Sequence, residues 1–195
     1  MSNNSEKRGR ILILVAPSGS GKSTLAKRLR DMYPSLQFSI SATTRKPREG
    51  ELDGRDYHFL SPDQFEERLR NGEFIEWEEV YNGTRYGTLR SAIENQRDKG
   101  YHVLLDIDVK GAHRINEMFG DDALSIFVKP PSIDELERRL RARGTEDDVS
   151  LQKRLDRARE ELEWEDRFDR KIVNDDLETA WNELRTIVRP FLGAP

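Results

Sequence analysis

Apolar residues occur along this chain as short solid runs, separated by stretches in which they recur at helical spacing. The first run, Ile11-Leu12-Ile13-Leu14-Val15-Ala16, has no polar interruption, which predicts a strand buried on both faces. Further strand candidates lie at Gln37–Ser41, Val103–Ile107, Leu124–Val128 and Lys171–Val173. Leu25, Leu29 and Met32 give a helix over Ser23–Tyr33 an apolar face, and Ala180, Leu184, Ile187 and Val188 do the same for the last helix. Helix starts are marked by their polar residues. Ser61-Pro62-Asp63-Gln64 carries a capping box with proline at the first helical position, Ser132-Ile133-Asp134-Glu135 repeats the box after Pro130-Pro131, and Asp175–Glu178 opens the final helix. Alternating strand and helix predict an α/β core, a parallel sheet with helices on both faces.

Between Ser41 and Gln96 the rhythm changes. Short alternating pieces, Tyr57-His58-Phe59 and Phe74-Ile75-Glu76-Trp77, stand among Gly50, Gly54, Gly72 and Gly83, which predicts a small antiparallel sheet inserted in the core. A second departure, Gly144 to Asp166, is a helical stretch crowded with both charge signs. At 195 residues the chain is one compact unit or one core with inserted pieces, and no second independent domain is required. Lys and Arg number 33 against 37 Asp and Glu, a net charge of −4, which excludes a general nucleic-acid binder working through a large positive field. Charged residues reach 36%, but the intact apolar runs indicate charged helix surfaces rather than disorder. The absence of Cys removes disulfides and thiolate metal sites. With no apolar stretch of bilayer-spanning length and no signal-peptide pattern, a cytoplasmic enzyme without a membrane partner is expected.

Candidate chemistry concentrates first at Ala16-Pro17-Ser18-Gly19-Ser20-Gly21-Lys22-Ser23-Thr24, where the first strand opens into a loop of small residues and then a helix. Little side-chain bulk at Gly19 and Gly21 lets consecutive backbone N–H groups turn inward around an anion. Lys22 can reach the β- and γ-phosphates of a nucleotide, and the Ser23 hydroxyl can take a place on the accompanying Mg²⁺. The pattern is that of a P-loop, with Ala16 where the first glycine is usual. Arg45 and Arg48, with nearby hydroxyls and Tyr57, make a clamp for a phosphate monoester; a solvated basic turn is the plainer alternative. His58, His102 and His113 share no metal-ligand spacing.

The series APSGSGKST, FSISATTRKPREGELDGRDYHF, GEFIEW, RYGT, LLDIDVKGA, RLRARGTE and KIVNDD resembles the guanylate kinase family, in order, over about residues 10 to 190. The resemblance implies a P-loop nucleoside monophosphate kinase with a parallel five-stranded core sheet, an inserted antiparallel GMP-binding subdomain and a helical lid. Its boundaries here are a flexible N-terminus at 1–9, a core at 10–40 and 97–195, the GMP-binding insertion at 41–96 and the lid at 143–166. The implied reaction is ATP plus GMP to ADP plus GDP with Mg²⁺, with dGMP as a second acceptor. Ala16 to Thr24 and Asn174 would bind ATP, Asn174 lying with Asp175 against adenine. Arg45, Arg48, Tyr57 and Tyr86 would hold the GMP phosphate, while Ser41, Glu76 and Thr88 would read guanine. Glu51 resembles a carboxylate near the P-loop lysine. Arg139, Arg143 and Arg154 would close with the lid over the transferring phosphoryl group and act with Lys22 in catalysis.

Elementary chemistry supports parts of this assignment. Guanine presents N1–H and N2–H₂ side by side, a donor pair suited to one carboxylate, and Glu76 on an otherwise apolar strand fits it. Strict alternation would instead put Glu76 on the wet face of an edge strand. Asp106 and Asp108 stand at the carboxyl end of a buried strand, where they could place substrate groups or, for Asp106, Mg²⁺ through water; Asp108 could equally cap the next helix. The lid arginines could be occupied by salt bridges to Glu135, Glu137 and Asp156. Where the family often has Trp-Gln before the glycine, this chain has Val109-Lys110. Two other readings remain open: a ribose bisphosphate kinase of the same superfamily, and a non-catalytic guanylate-kinase-like module binding phosphoproteins. The complete acceptor set with Glu76 favours GMP over the first, and the intact loop at Gly19–Thr24 disfavours the second. Monomer and homodimer are both compatible with the sequence.

Overall fold

The computed structural model describes residues 8–79, 83–142 and 148–193. In chain order its elements begin with β1 (Ile11–Val15), α1 (Lys22–Met32), β2 (Leu36–Phe38), β3 (Ala42–Thr43), β4 (His58–Phe59), α2 (Pro62–Arg70), β5 (Phe74–Glu79), β6 (Arg85–Leu89) and α3 (Arg90–Asp98). They continue with β7 (His102–Asp106), α4 (Val109–Phe119), β8 (Ala123–Lys129), α5 (Ile133–Ala142), α6 (Asp148–Leu162), β9 (Arg170–Val173) and α7 (Leu177–Leu192). The chain divides into two compact units, Met1–Gly9 with Gln37–Val103, and Arg10–Leu36 with Leu104–Pro195.

A five-stranded sheet has the order β2-β7-β1-β8-β9, so each stretch expected as a strand of the core is in it. β1 pairs with β8 and β8 with β9, both in parallel, as strands linked by helical crossovers must when they run the same way. Every side chain from Ile11 to Leu14 is fully buried, which is why this strand shows no alternation in sequence. Helices α1, α4 and α7 pack on β1, β8 and β9. Ala180, Leu184 and Val188 of α7 are fully buried, joined by Trp181 rather than by Ile187, which stays partly exposed. Leu136 and Leu140 of α5 form a further apolar cluster with Leu151, Leu155 and Ala158 of α6.

The smaller unit contains a four-stranded sheet in the order β4-β3-β6-β5. The β3–β6 and β5–β6 pairs are antiparallel, but β3 and β4 run parallel, so the sheet is mixed where an antiparallel one is expected. The long segment between Thr43 and His58 is what allows this, since a parallel pair needs a crossover that a tight hairpin cannot supply. Ala42, Phe65, Phe74 and Leu89 form its core, with the Phe65 and Phe74 rings stacked at 4.3 Å.

The capping box at α2 is complete: Gln64 N–H donates to Ser61 Oγ at 3.1 Å and Ser61 N–H donates to Gln64 Oε1 at 2.8 Å. At α5 only half of the expected box forms. Glu135 N–H donates to Ser132 Oγ, while the Glu135 carboxylate is taken by Arg138 and Arg139. Arg8 pairs with Glu94 and Asp98, and Gly9 exchanges bonds with the buried Arg97, so these two residues of the segment expected to be flexible are held in place. Residues 1–7 lie outside the described residues. Among the described residues no helix is long and apolar enough to cross a membrane.

Candidate active site

The loop between β1 and α1 is shaped by its glycines. Gly19 and Gly21 have φ of 96° and 87°, in the left-handed region open to glycine, and a Cβ at Gly19 would also meet Leu136 Cδ1 at 2.9 Å. Gly21 is the N-cap of α1 and offers no side-chain cap, and the first turn of that helix carries no acidic residue. Its leading N–H groups and the positive end of the helix dipole are thus directed to an anion from outside the helix. Lys22 is ion-paired with Asp106, the last residue of β7. Ser23 and Thr24 are exposed at the helix start, whereas Pro17 and Ser20 are buried beneath the loop.

Asp108 takes the capping role that the sequence allows. Its Oδ1 accepts from Lys110 N–H at 2.8 Å and Gly111 N–H at 3.1 Å, which starts α4. Asn174 follows β9 and is 5% exposed; its Nδ2 donates to the Ser20 carbonyl at 2.7 Å. The side chain expected against adenine is therefore bonded to the phosphate loop itself. Arg139 Nε donates to Glu135 Oε1 at 2.7 Å, Nη1 to the Asn174 carbonyl at 2.9 Å and Nη2 to the Asp175 carbonyl at 3.2 Å. Arg138 and Arg139 together hold the Glu135 carboxyl at about 2, well below its usual range. Arg154 Nη1 donates to Ser18 Oγ at 3.2 Å, bringing α6 onto the loop. Arg143 lies outside the described residues.

The residues expected to hold the acceptor lie in the smaller unit. Arg45 makes a two-point pair with Glu51, both N–O distances being 2.9 Å, and Arg48 N–H donates to the same carboxylate at 2.7 Å. These contacts hold the Glu51 carboxyl at about 2 and push the Arg45 guanidinium above its usual value. The Arg45 guanidinium also stands 5.2 Å from the Tyr57 ring centre and 5.7 Å from that of Phe59, while Tyr57 and Tyr86 meet edge-on at 6.0 Å. Arg48 has an exposed side chain, and Ser41 is partly buried. The carboxylate expected near Lys22 thus serves Arg45, and the one on Lys22 is Asp106.

Glu76 is 6% exposed and accepts from Thr88 Oγ1 at 2.5 Å, with Thr88 fully buried opposite it on β6. The wet-face alternative fails. A shift in register between Phe74 and Glu76 marks a bulge, so Phe74, Ile75 and Glu76 are all buried and Trp77 turns outward. Alternation cannot reveal such a residue, because the bulge breaks the period on which alternation rests.

Two groups escape sequence reasoning. Phe59 supplies a second ring face to Arg45, and an alternating aromatic pair beside a basic turn is the only signal of it. Glu161 of α6 accepts from Arg157 Nε at 2.9 Å; burial pushes its carboxyl up, against the lowering effect of Arg157 and of the Lys22 charge. In sequence it is one of many charges in a mixed run. Arg159 pairs with Asp156 at 2.7 Å.

Comparison with known proteins bears on the family of the whole chain. The guanylate kinase family model matches residues 8–190. The guanylate kinase of Salinibacter ruber is 54% identical over 184 residues, covering 94% of this chain and 97% of the relative, and that of Chlorobium luteolum is 48% identical with 99% and 98% covered. The crystal structure of guanylate kinase from Anaplasma phagocytophilum superposes with a TM-score of 0.72 at 36% identity, covering 95% of this chain and 87% of that one. With its phosphate loop, its buried glutamate and a family match over nearly the whole length, this chain belongs to the guanylate kinase family.

Proposed function

We infer that the chain's work as an ATP:GMP phosphotransferase is divided between a donor site built on the phosphate loop and an acceptor site built on the smaller sheet. As a guanylate kinase it moves the γ-phosphoryl group of ATP to GMP, giving ADP and GDP. The buried Glu76 carboxylate carries the acceptor reading. Burying a carboxylate is costly unless partners repay it, and a carboxylate accepts several hydrogen bonds. The N1–H and N2–H₂ of guanine are a matching pair, whereas adenine has an acceptor at N1. Ser41 and Thr88 complete the base-reading group, and the same edge is present in dGMP. Arg45, Arg48, Tyr57 and Tyr86 take the phosphate. Glu51 holds the Arg45 guanidinium in place until a phosphate shares or replaces it.

On the donor side, backbone N–H groups from Ala16 to Thr24 receive the phosphates, and Lys22 exchanges part of its interaction with Asp106 for them. Arg139, Arg143 and Arg154 contribute positive charge where it develops in transfer. The GMP phosphate is already largely deprotonated near neutral pH, so alignment and charge neutralisation suffice without a general base. Mg²⁺ fits this donor set. Among the described residues no group of His, Asp and Glu forms a full metal cage, and Ser23 with Asp106 offers the sparse oxygen ligands typical of a Mg²⁺ that is held mainly by phosphates and water. When bound, the ion would neutralise charge on the phosphates. The nucleotide substrates support a cytoplasmic setting for this work.

An ADP-release assay with GMP, dGMP, AMP, CMP, UMP and ribose bisphosphate tests the reading. GMP and dGMP should be turned over, with AMP far behind. Faster phosphorylation of ribose bisphosphate would overturn it.

A further inference from the structure

We propose that Asn174 is a positioning residue that fixes the Ser20–Gly21 peptide, so that the Gly21 N–H faces the phosphates of the donor nucleotide. Asn174 is anchored on three sides. Its backbone N–H donates to the Lys129 carbonyl at 2.8 Å, its Nδ2 donates to the Ser20 carbonyl at 2.7 Å, and its own carbonyl accepts from Arg139 Nη1 at 2.9 Å. The consequence for the loop follows from peptide geometry. The Ser20 C=O and the Gly21 N–H belong to one planar trans unit and point in opposite directions. Tying the carbonyl back to the buried amide therefore turns the N–H away from Asn174 and toward the open side of the loop.

Without that tie, a peptide next to a glycine with φ of 87° is free to rotate. A flipped peptide would offer the phosphates an oxygen in place of a donor. Gly21 is fitted to the arrangement, since a Cβ there would collide with Asn174 Nδ2. The same residue joins the loop to Arg139, so one side chain and one carbonyl set two groups at the donor site together. This differs from contact with adenine, which would make Asn174 matter to the base and not to the phosphates.

The inference rests on the phosphate loop being the donor site, and inorganic tripolyphosphate with Mg²⁺, which has no base, separates the possibilities. In Asn174→Ala, the inhibition constant for tripolyphosphate and the KM for ATP should both rise about tenfold, the scale of one charge-assisted donor turned away, with the GMP KM unchanged. Asn174→Asp keeps the shape while setting an oxygen against the Ser20 carbonyl; it should lose at least as much, and it serves as the test if the alanine variant fails to fold. Unchanged tripolyphosphate inhibition with weakened ATP would assign Asn174 to adenine and overturn the inference. A fall in kcat alone, with both KM values and the tripolyphosphate constant intact, would reduce it to a packing role and also overturn it. Lys22→Ala in the same assay distinguishes the failures. Tripolyphosphate inhibition lost in Lys22→Ala but kept in Asn174→Ala defeats only the inference, whereas inhibition kept in both defeats the donor site as well.

Discussion

The phosphate loop and the Arg45 cluster, the two regions proposed to receive phosphates, are made of different materials. At the loop the donors are backbone N–H groups at the start of α1, shaped by Gly19 and Gly21 and held from below by the Asn174 amide. In the acceptor cluster they are side chains: Arg45 locked by Glu51 and flanked by Tyr57 and Phe59, with Tyr86 alongside. A backbone cradle reads charge and shape and is indifferent to the rest of the nucleotide. Phe59 and Tyr86 of the side-chain cluster lie on the same sheet as Glu76 and Thr88, which would let it join recognition of a phosphate to recognition of a base. Both regions also supply an internal counter-charge, Asp106 for Lys22 and Glu51 for Arg45.

The sharpest break in this comparison is Lys22→Ala. Turnover should fall by about 10²- to 10³-fold or more, because the substitution removes charge stabilisation of the transferring group. GMP affinity, measured by equilibrium titration, should stay near the parent value. A parallel loss of GMP binding would mean that the two regions do not divide the work as described.

Arg45→Ala is the converse. It removes charge-assisted bonds to the acceptor phosphate and should raise the GMP KM by about tenfold to a hundredfold, with little change in the KM for ATP. Equal effects on both substrates would place Arg45 outside the acceptor site.

Glu76→Gln asks whether the base is read where the phosphate is read. One carboxylate oxygen becomes a donor facing a guanine donor, so kcat/KM for GMP should fall by about 1–3 kcal/mol, the scale of a mismatched base edge. AMP, whose N1 accepts, should lose less, and the GMP-over-AMP ratio should narrow. A ratio that stays at its parent value would transfer the discrimination to Ser41 and Thr88.

The smallest effect is on acid stability. Glu51 has its carboxyl lowered to about 2 from 4.5, so its pairing with Arg45 favours the folded protein above about pH 4.5 and that benefit disappears as pH falls toward 2. Glu135, lowered to about 2 by Arg138 and Arg139, follows the same sign in the larger unit. Melting curves of Glu51→Gln and Glu135→Gln should each lie below the parent at neutral pH and converge on it between pH 4.5 and 2. A gap that is constant with pH would show that the carboxylates' charge is not what holds these arginines.

What the sequence determined by itself was whatever depends on neighbours along the chain. The unbroken apolar run at Ile11–Val15, the helix start at Ser61 and the small-residue loop ending at Lys22 could be read directly, since strand burial, capping and a backbone cradle are local properties. The motif series was equally legible and carried the family. Tertiary structure decided which partners those residues found. The bulge that buries Glu76, the parallel pairing of β3 with β4 and the attachment of Glu51 to Arg45 each depend on strand register or on competition among several acceptors and donors. The Asn174 bond to Ser20 is the clearest instance, because it joins residues 154 positions apart that no periodicity relates. Only folding brings the end of β9 beneath the loop that follows β1, and a buried amide there takes the carbonyl within its reach, since leaving either group unpaired would cost more.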